Sequence, residues 1–111
     1  MESKVFNIGN YIWECKSSHS DPGGAIDPKY LERAIALLQS RWENRRTPSG
    51  YYYVFPVNLI NNDGRRILEE FKYSYTEIDI NYYDRDNFQG LIQELEKLSD
   101  FESLVNYLKS I

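Results

Sequence analysis

The stretch that most constrains the fold is Tyr11-Ile12-Trp13-Glu14-Cys15-Lys16-Ser17-Ser18. Its β-branched and aromatic residues favour a pleated, half-buried backbone, so the run up to Lys16 reads as a strand. Side chains alternate along a strand, so Tyr11, Trp13 and Cys15 share one face while Ile12, Glu14 and Lys16 share the other. The first set is the candidate core face. The second carries a carboxylate and an ammonium two residues apart, near the C-terminal end of the strand. In such a Glu-x-Lys pair the carboxylate can hold a divalent metal and the lysine can orient or activate a water. An isolated pair of this kind is more often an exposed ion pair worth little. The order of the surrounding elements is what gives this one weight.

Val5-Phe6-Asn7-Ile8 reads as a short strand, and Gly9-Asn10 as a two-residue turn, since both residue types tolerate positive φ. Together with the Glu-x-Lys strand they predict an antiparallel hairpin. Ser17 to Gly24 is a loop by composition, in which His19 reads as an exposed histidine and Asp21-Pro22-Gly23-Gly24 as a turn. Asp27-Pro28 predicts a helix start, an N-cap aspartate followed by proline in the first turn. Leu31, Ala34, Ile35, Leu38 and Trp42 then recur at helical spacing and predict a helix to about Arg45. Arg41, Arg45 and Arg46 add positive charge near its end, complementing the helix dipole.

Thr47-Pro48-Ser49-Gly50 breaks the pattern before Tyr51-Tyr52-Tyr53-Val54-Phe55-Pro56-Val57, a strand buried on both faces, with pairing weakened at Pro56. Asn61-Asn62-Asp63-Gly64 leads into a short helix burying Ile67, Leu68 and Phe71. Thr76-Glu77-Ile78-Asp79-Ile80-Asn81-Tyr82 alternates polar and apolar, as an edge strand with one solvated face does. Asp86-Asn87-Phe88-Gln89 and Ser99-Asp100-Phe101-Glu102 match capping boxes for two further helices. The last helix carries Phe101, Leu104, Val105 and Leu108 and is expected to pack on its own domain.

The expected fold is therefore α/β: a single domain over residues 1–111 with a small mixed sheet, the N-terminal hairpin plus two further strands, flanked by helices. The 111 residues suffice for one core. No apolar run approaches the about 20 residues of a membrane span, and no basic-then-apolar leader opens the chain. One cysteine cannot form an internal disulfide, which fits a cytoplasmic location. A single histidine excludes a His-rich zinc site or a Cys-His zinc finger. The net charge of −4, from 17 acidic and 13 basic side chains, lacks the broad basic footprint of a dedicated nucleic-acid binder.

The Glu14-Cys15-Lys16 strand, entered from a hairpin and followed by a helix and further strands, resembles the PD-(D/E)XK nuclease superfamily with its restriction-endonuclease-like core. The resemblance spans about Val5 to Tyr82, but only Glu14-Cys15-Lys16 carries a motif, and a short one. It implies that Glu14 ligates Mg²⁺ (or Mn²⁺), that Lys16 positions or activates the attacking water, and that the substrate is DNA. The superfamily also uses an acidic residue in the first hairpin strand. There this chain reads Glu2-Ser3-Lys4-Val5, which leaves Glu2 as the only upstream carboxylate and the candidate second metal ligand. Glu32, Asp21 or a carboxylate from an N-terminal segment that the domain lacks are the other options. Ser18 and Gln39 are the candidates for contacting substrate.

Two function classes follow. One is a Mg²⁺-dependent DNA endonuclease, for which a homodimer would cut both strands. The other is a non-catalytic nuclease-like domain or a small acidic immunity or regulatory protein, binding a protein partner through its tyrosines.

Overall fold

The computed structural model describes residues 2–43 and 47–111. The helix end expected at Arg45, the charges of Arg45 and Arg46 and the Arg41 side chain lie outside what is described. Strands β1 (Glu2–Ile8) and β2 (Tyr11–Ser17) form the hairpin. Helix α1 (Pro28–Glu43), strand β3 (Gly50–Val54), helix α2 (Asn62–Ser74) and strand β4 (Asp79–Tyr83) follow. Helix α3 (Phe88–Leu95) and, after a 3₁₀ turn at Ser99–Phe101, helix α4 (Glu102–Lys109) complete the chain.

The sheet order is β1-β2-β3-β4, with the first pair antiparallel and the next two parallel. This is the small mixed α/β sheet expected from the sequence. The hairpin turn has positive φ only at Gly9, at 61°, the type II′ pattern, in which only the first central residue needs a glycine-like backbone. Two crossovers of one hand that advance the same way across the sheet must lay their helices on the same face. Accordingly α1 and α2 bury Leu31, Ile35, Leu38, Trp42, Leu68 and Phe71 against Tyr51, Tyr53 and Ile80. Helices α3 and α4 cover the other face, packing Leu91, Ile92, Leu104 and Leu108 against Trp13, Cys15 and Val54. The last helix thus closes its own core. No helix of the described residues is long and apolar enough to cross a membrane.

Local details differ from the sequence reading where tertiary contacts decide. Tyr11, read as core, is 40% exposed, because its ring lies across Gly50, where a Cβ would fall 2.3 Å from Tyr11 Cδ1. The third strand ends at Val54, although Phe55 N still donates to Tyr83 O at 2.8 Å. Pro56 then has no N–H to continue the ladder. Asp27 caps α1 as expected, accepting from Lys29 N at 2.9 Å. The other two caps are not the predicted boxes. Asn87 accepts from Asp84 N at 2.7 Å instead of capping α3, and Ser99 opens a 3₁₀ turn rather than α4. Strand β4 is an edge strand, but begins at Asp79 because Ile78 N is tied back to Tyr75 O at 3.2 Å.

Candidate functional site

Strand alternation puts Glu14 and Lys16 beneath α1, on the face of β2 that also carries Ile12. They are 7% and 8% exposed, so the pair is a buried one and not the surface ion pair that Glu-x-Lys usually forms. Lys16 Nζ lies 2.9 Å from Glu14 Oε1, and the Tyr51 hydroxyl donates to Glu14 Oε2. The Lys16 ammonium also sits 5.2 Å from the centroid of the Tyr30 ring. Burial pulls Lys16 down, yet polar contact with the Tyr30 hydroxyl and with Glu14 outweighs it and holds the ammonium above the ordinary lysine range. A lysine held in that state donates hydrogen bonds and positive charge at neutral pH; it does not abstract protons.

Beside this pair stands Tyr53, the β3 partner of Glu14 in the parallel register. Burial, then the charge of Glu14 and the nearby Tyr30, raise its hydroxyl pKa. The site is therefore one carboxylate, one ammonium and three tyrosines, brought together by β2, β3 and the first turn of α1. Across the hairpin, Val5 faces Glu14 and Ser3 faces Lys16. Both β1 residues are exposed, so the pair lies next to an uncovered flank of the sheet.

The hairpin register separates Glu2 from this group. Glu2 pairs with Ser17, so it projects from the opposite face. There it accepts from the Tyr107 hydroxyl at 3.1 Å and meets His19 Nε2 at 3.4 Å. The expected Glu2–Glu14 ligand pair is not formed, since one residue of register exchanges the faces. Gln39 lines a groove between α1 and α2 with Glu32, Ile35 and Phe71, a lining that does not include Glu14 or Lys16. Ser18 is held by its backbone: its N–H donates to Asn58 Oδ1 at 2.8 Å and its C=O accepts from Asn58 Nδ2 at 3.2 Å. Asp21 forms the expected turn, its C=O accepting from Gly24 N at 3.0 Å.

Among the described residues, no three His, Cys, Asp or Glu side chains converge. A larger groove, about 1130 Å³, runs between α2 and the open edge of β4, lined by Arg66, Glu69, Lys72, Tyr73 and Glu77 among others. Its charged side chains are solvated, whereas Glu14 and Lys16 are desolvated and mutually oriented, which makes the pair the candidate site. The sequence singled out Glu14 and Lys16 but not Tyr30, Tyr51 and Tyr53, which the structure sets around them. The signal was present in the alternation of Tyr51 and Tyr53, but which strand face they shared with Glu14 depended on the unknown register. In comparisons with protein-family models, curated proteins and solved structures, nothing matches this chain.

Proposed function

We propose that this domain is a metal-dependent DNA phosphodiesterase of the PD-(D/E)XK type, with a restriction-endonuclease-like arrangement of hairpin, helix, strand, helix and strand. The observation that carries the reading is the burial of a Glu-x-Lys pair on a central strand. Desolvating two ions costs several kcal/mol each, and apolar residues of similar volume often serve stability as well or better. A pair retained on a rigid strand, beside three tyrosines and an open flank, supports a chemical role.

The donor set fits a Mg²⁺ or Mn²⁺ ion in a limited way. Mg²⁺ keeps several waters and is held by one or two carboxylates plus substrate phosphate. Glu14 supplies one carboxylate at the pair. Each carboxylate oxygen has a second lone pair beyond those used by Lys16 and Tyr51. When bound, the metal would supply Lewis-acid charge to the phosphate. Lys16 donates to the attacking water or to the developing negative charge, and Tyr51 fixes the orientation of Glu14. A reducing cytoplasm suits a chain whose cysteine is a buried thiol.

A second reading, a non-catalytic interaction domain, is favoured by one observation: both Glu14 oxygens are already engaged, by Lys16 and by Tyr51. Calorimetric titration with Mg²⁺ and Mn²⁺, paired with cleavage assays on DNA, separates the two. The phosphodiesterase reading expects saturable binding and metal-dependent cleavage, both lost in folded Glu14→Gln and both retained in Glu2→Gln. Absence of binding up to millimolar metal would overturn it in favour of the interaction domain.

A further inference from the structure

A buried hydroxyl without a hydrogen-bond partner forfeits the hydration it had in the unfolded chain, and native proteins leave few such groups. Three buried polar atoms have no partner among the described residues: Trp13 Nε1, Ser17 Oγ and the Tyr53 hydroxyl. Trp13 and Ser17 project from the face of β2 that α3 and α4 cover. Tyr53 alone projects toward the Glu14–Lys16 pair.

Tyr53 is 1% exposed. Its ring is clamped, stacked on Phe55 at 4.8 Å and tilted against Tyr51 at 5.7 Å, so packing fixes the direction of its hydroxyl. The register sets it beside Glu14. A phenol hydroxyl can both donate and accept. A buried water needs two to four polar partners. The Tyr53 hydroxyl, the Tyr30 hydroxyl, the Glu14 carboxylate and the Lys16 ammonium supply that number.

We infer that Tyr53 is a positioning residue whose hydroxyl, with Glu14 and Lys16, holds a water on the α1-covered face of β2 and β3, and that this water is the nucleophile of the reaction. The role of the water rests on the phosphodiesterase reading; its presence does not. In the step, the water oxygen forms a bond to phosphorus and the bond from phosphorus to the leaving oxygen breaks. The electron pair departs with the leaving oxygen, which is protonated from bulk solvent, and the proton lost by the attacking water passes to bulk solvent through the open flank of the sheet. Lys16 and Tyr53 exchange no proton in the step; both act by holding the water.

The test compares wild type with Tyr53→Phe, which removes one oxygen and leaves the ring contacts with Phe55 and Tyr51 in place. Tyr52→Phe serves as a control, because that hydroxyl bonds Asp79 at 2.6 Å on the other face of β3. Water–protein NOEs and ¹⁷O relaxation dispersion read the water without any metal. We expect a long-lived water in wild type and in Tyr52→Phe, and its loss in Tyr53→Phe. Metal-dependent cleavage should fall about tenfold or more in turnover with KM unchanged, the pattern of an interaction made in the reaction step rather than in binding. A wild type without a long-lived water at this position overturns the inference. So does a Tyr53→Phe variant that cleaves DNA as wild type does, an outcome that leaves the phosphodiesterase reading standing. If Tyr53→Phe loses the water but wild type itself cleaves nothing, the nucleophile role falls together with the phosphodiesterase reading.

Discussion

Substituting Lys16→Met retains most of the aliphatic stem but deletes the ammonium, and so isolates what the buried pair is worth. Glu14 would keep the Tyr51 donor and lose its countercharge, in a position where only 10% of its side chain is exposed. Breaking a buried pair from one side costs about 3–5 kcal/mol, because a charge is left stranded. For a domain of this length, at about 4 °C per kcal/mol, the melting temperature should fall by roughly 12–20 °C. The double variant Glu14→Gln with Lys16→Met strands no charge, and the glutamine oxygen can still accept from Tyr51. Replacing both members of such a pair is often neutral or stabilising, so it should recover most of the loss. Urea and thermal unfolding of the two single variants and the double variant give the coupling directly. A loss under about 1 kcal/mol for Lys16→Met is the value of a surface pair. That result would refute the burial argument and with it the case for chemistry at this strand.

Two further outcomes follow from the polar groups. Lys16 and Tyr53 have raised pKa values, and Tyr107 is pushed up to about 12 by burial and its bond to Glu2. Groups with raised folded-state values hold their protons more tightly than the unfolded chain does. Their contribution is therefore complete below the unfolded values, 10.0 for tyrosine and 10.5 for lysine, and is lost as pH rises through the folded ones. Urea midpoints should fall as pH climbs from about 10 to about 12; midpoints that hold steady there would contradict the assignment. Asp84, 2% exposed, accepts from Ile60 N at 3.1 Å and from Asp86 N at 3.0 Å. Asp84→Ala orphans both donors and should cost about 2–5 kcal/mol in denaturant titration; near-neutrality would mean that water replaces the carboxylate.

Much of this architecture was legible in the chain because local signals and tertiary demands agree. The Gly9-Asn10 turn, the Asp27 cap and the apolar stripe from Leu31 to Trp42 each predict the element that forms. Ends of elements were less legible. Asn87 and Ser99 carry good capping side chains, but Asn87 is drawn to the Asp84 backbone and Ser99 enters a 3₁₀ turn. At the site, alternation alone put Glu14 and Lys16 together, whereas Glu2 required the hairpin register. A shift of one residue would have placed it beside the pair. Tyr51 and Tyr53 required the β2–β3 register as well, and parallel pairings between strands separated by a helix leave no turn in the sequence from which to count. Asn58 and Asp84 were invisible for another reason. Both are buried beyond strand ends, where Asn58 bonds the backbone of Ser18 and Asp21, and Asp84 that of Ile60, in distant segments.

The mixed sheet also imposes an order in time. Strands β1 and β2 are joined by a two-residue turn, and hairpins of this kind close in roughly 1–10 μs. Pairing β2 with β3 must wait for the intervening helix and the closure of a long loop, which is slower. Until then Glu14 and Lys16 ride on the hairpin in contact with water. Docking of α1 and pairing with β3 bury them, so their desolvation coincides with the first non-local pairing of the sheet. The ion pair lies within β2 and can form before β3 arrives, whereas the Tyr51 hydroxyl reaches Glu14 only in the native β2–β3 register, which that hydrogen bond therefore favours.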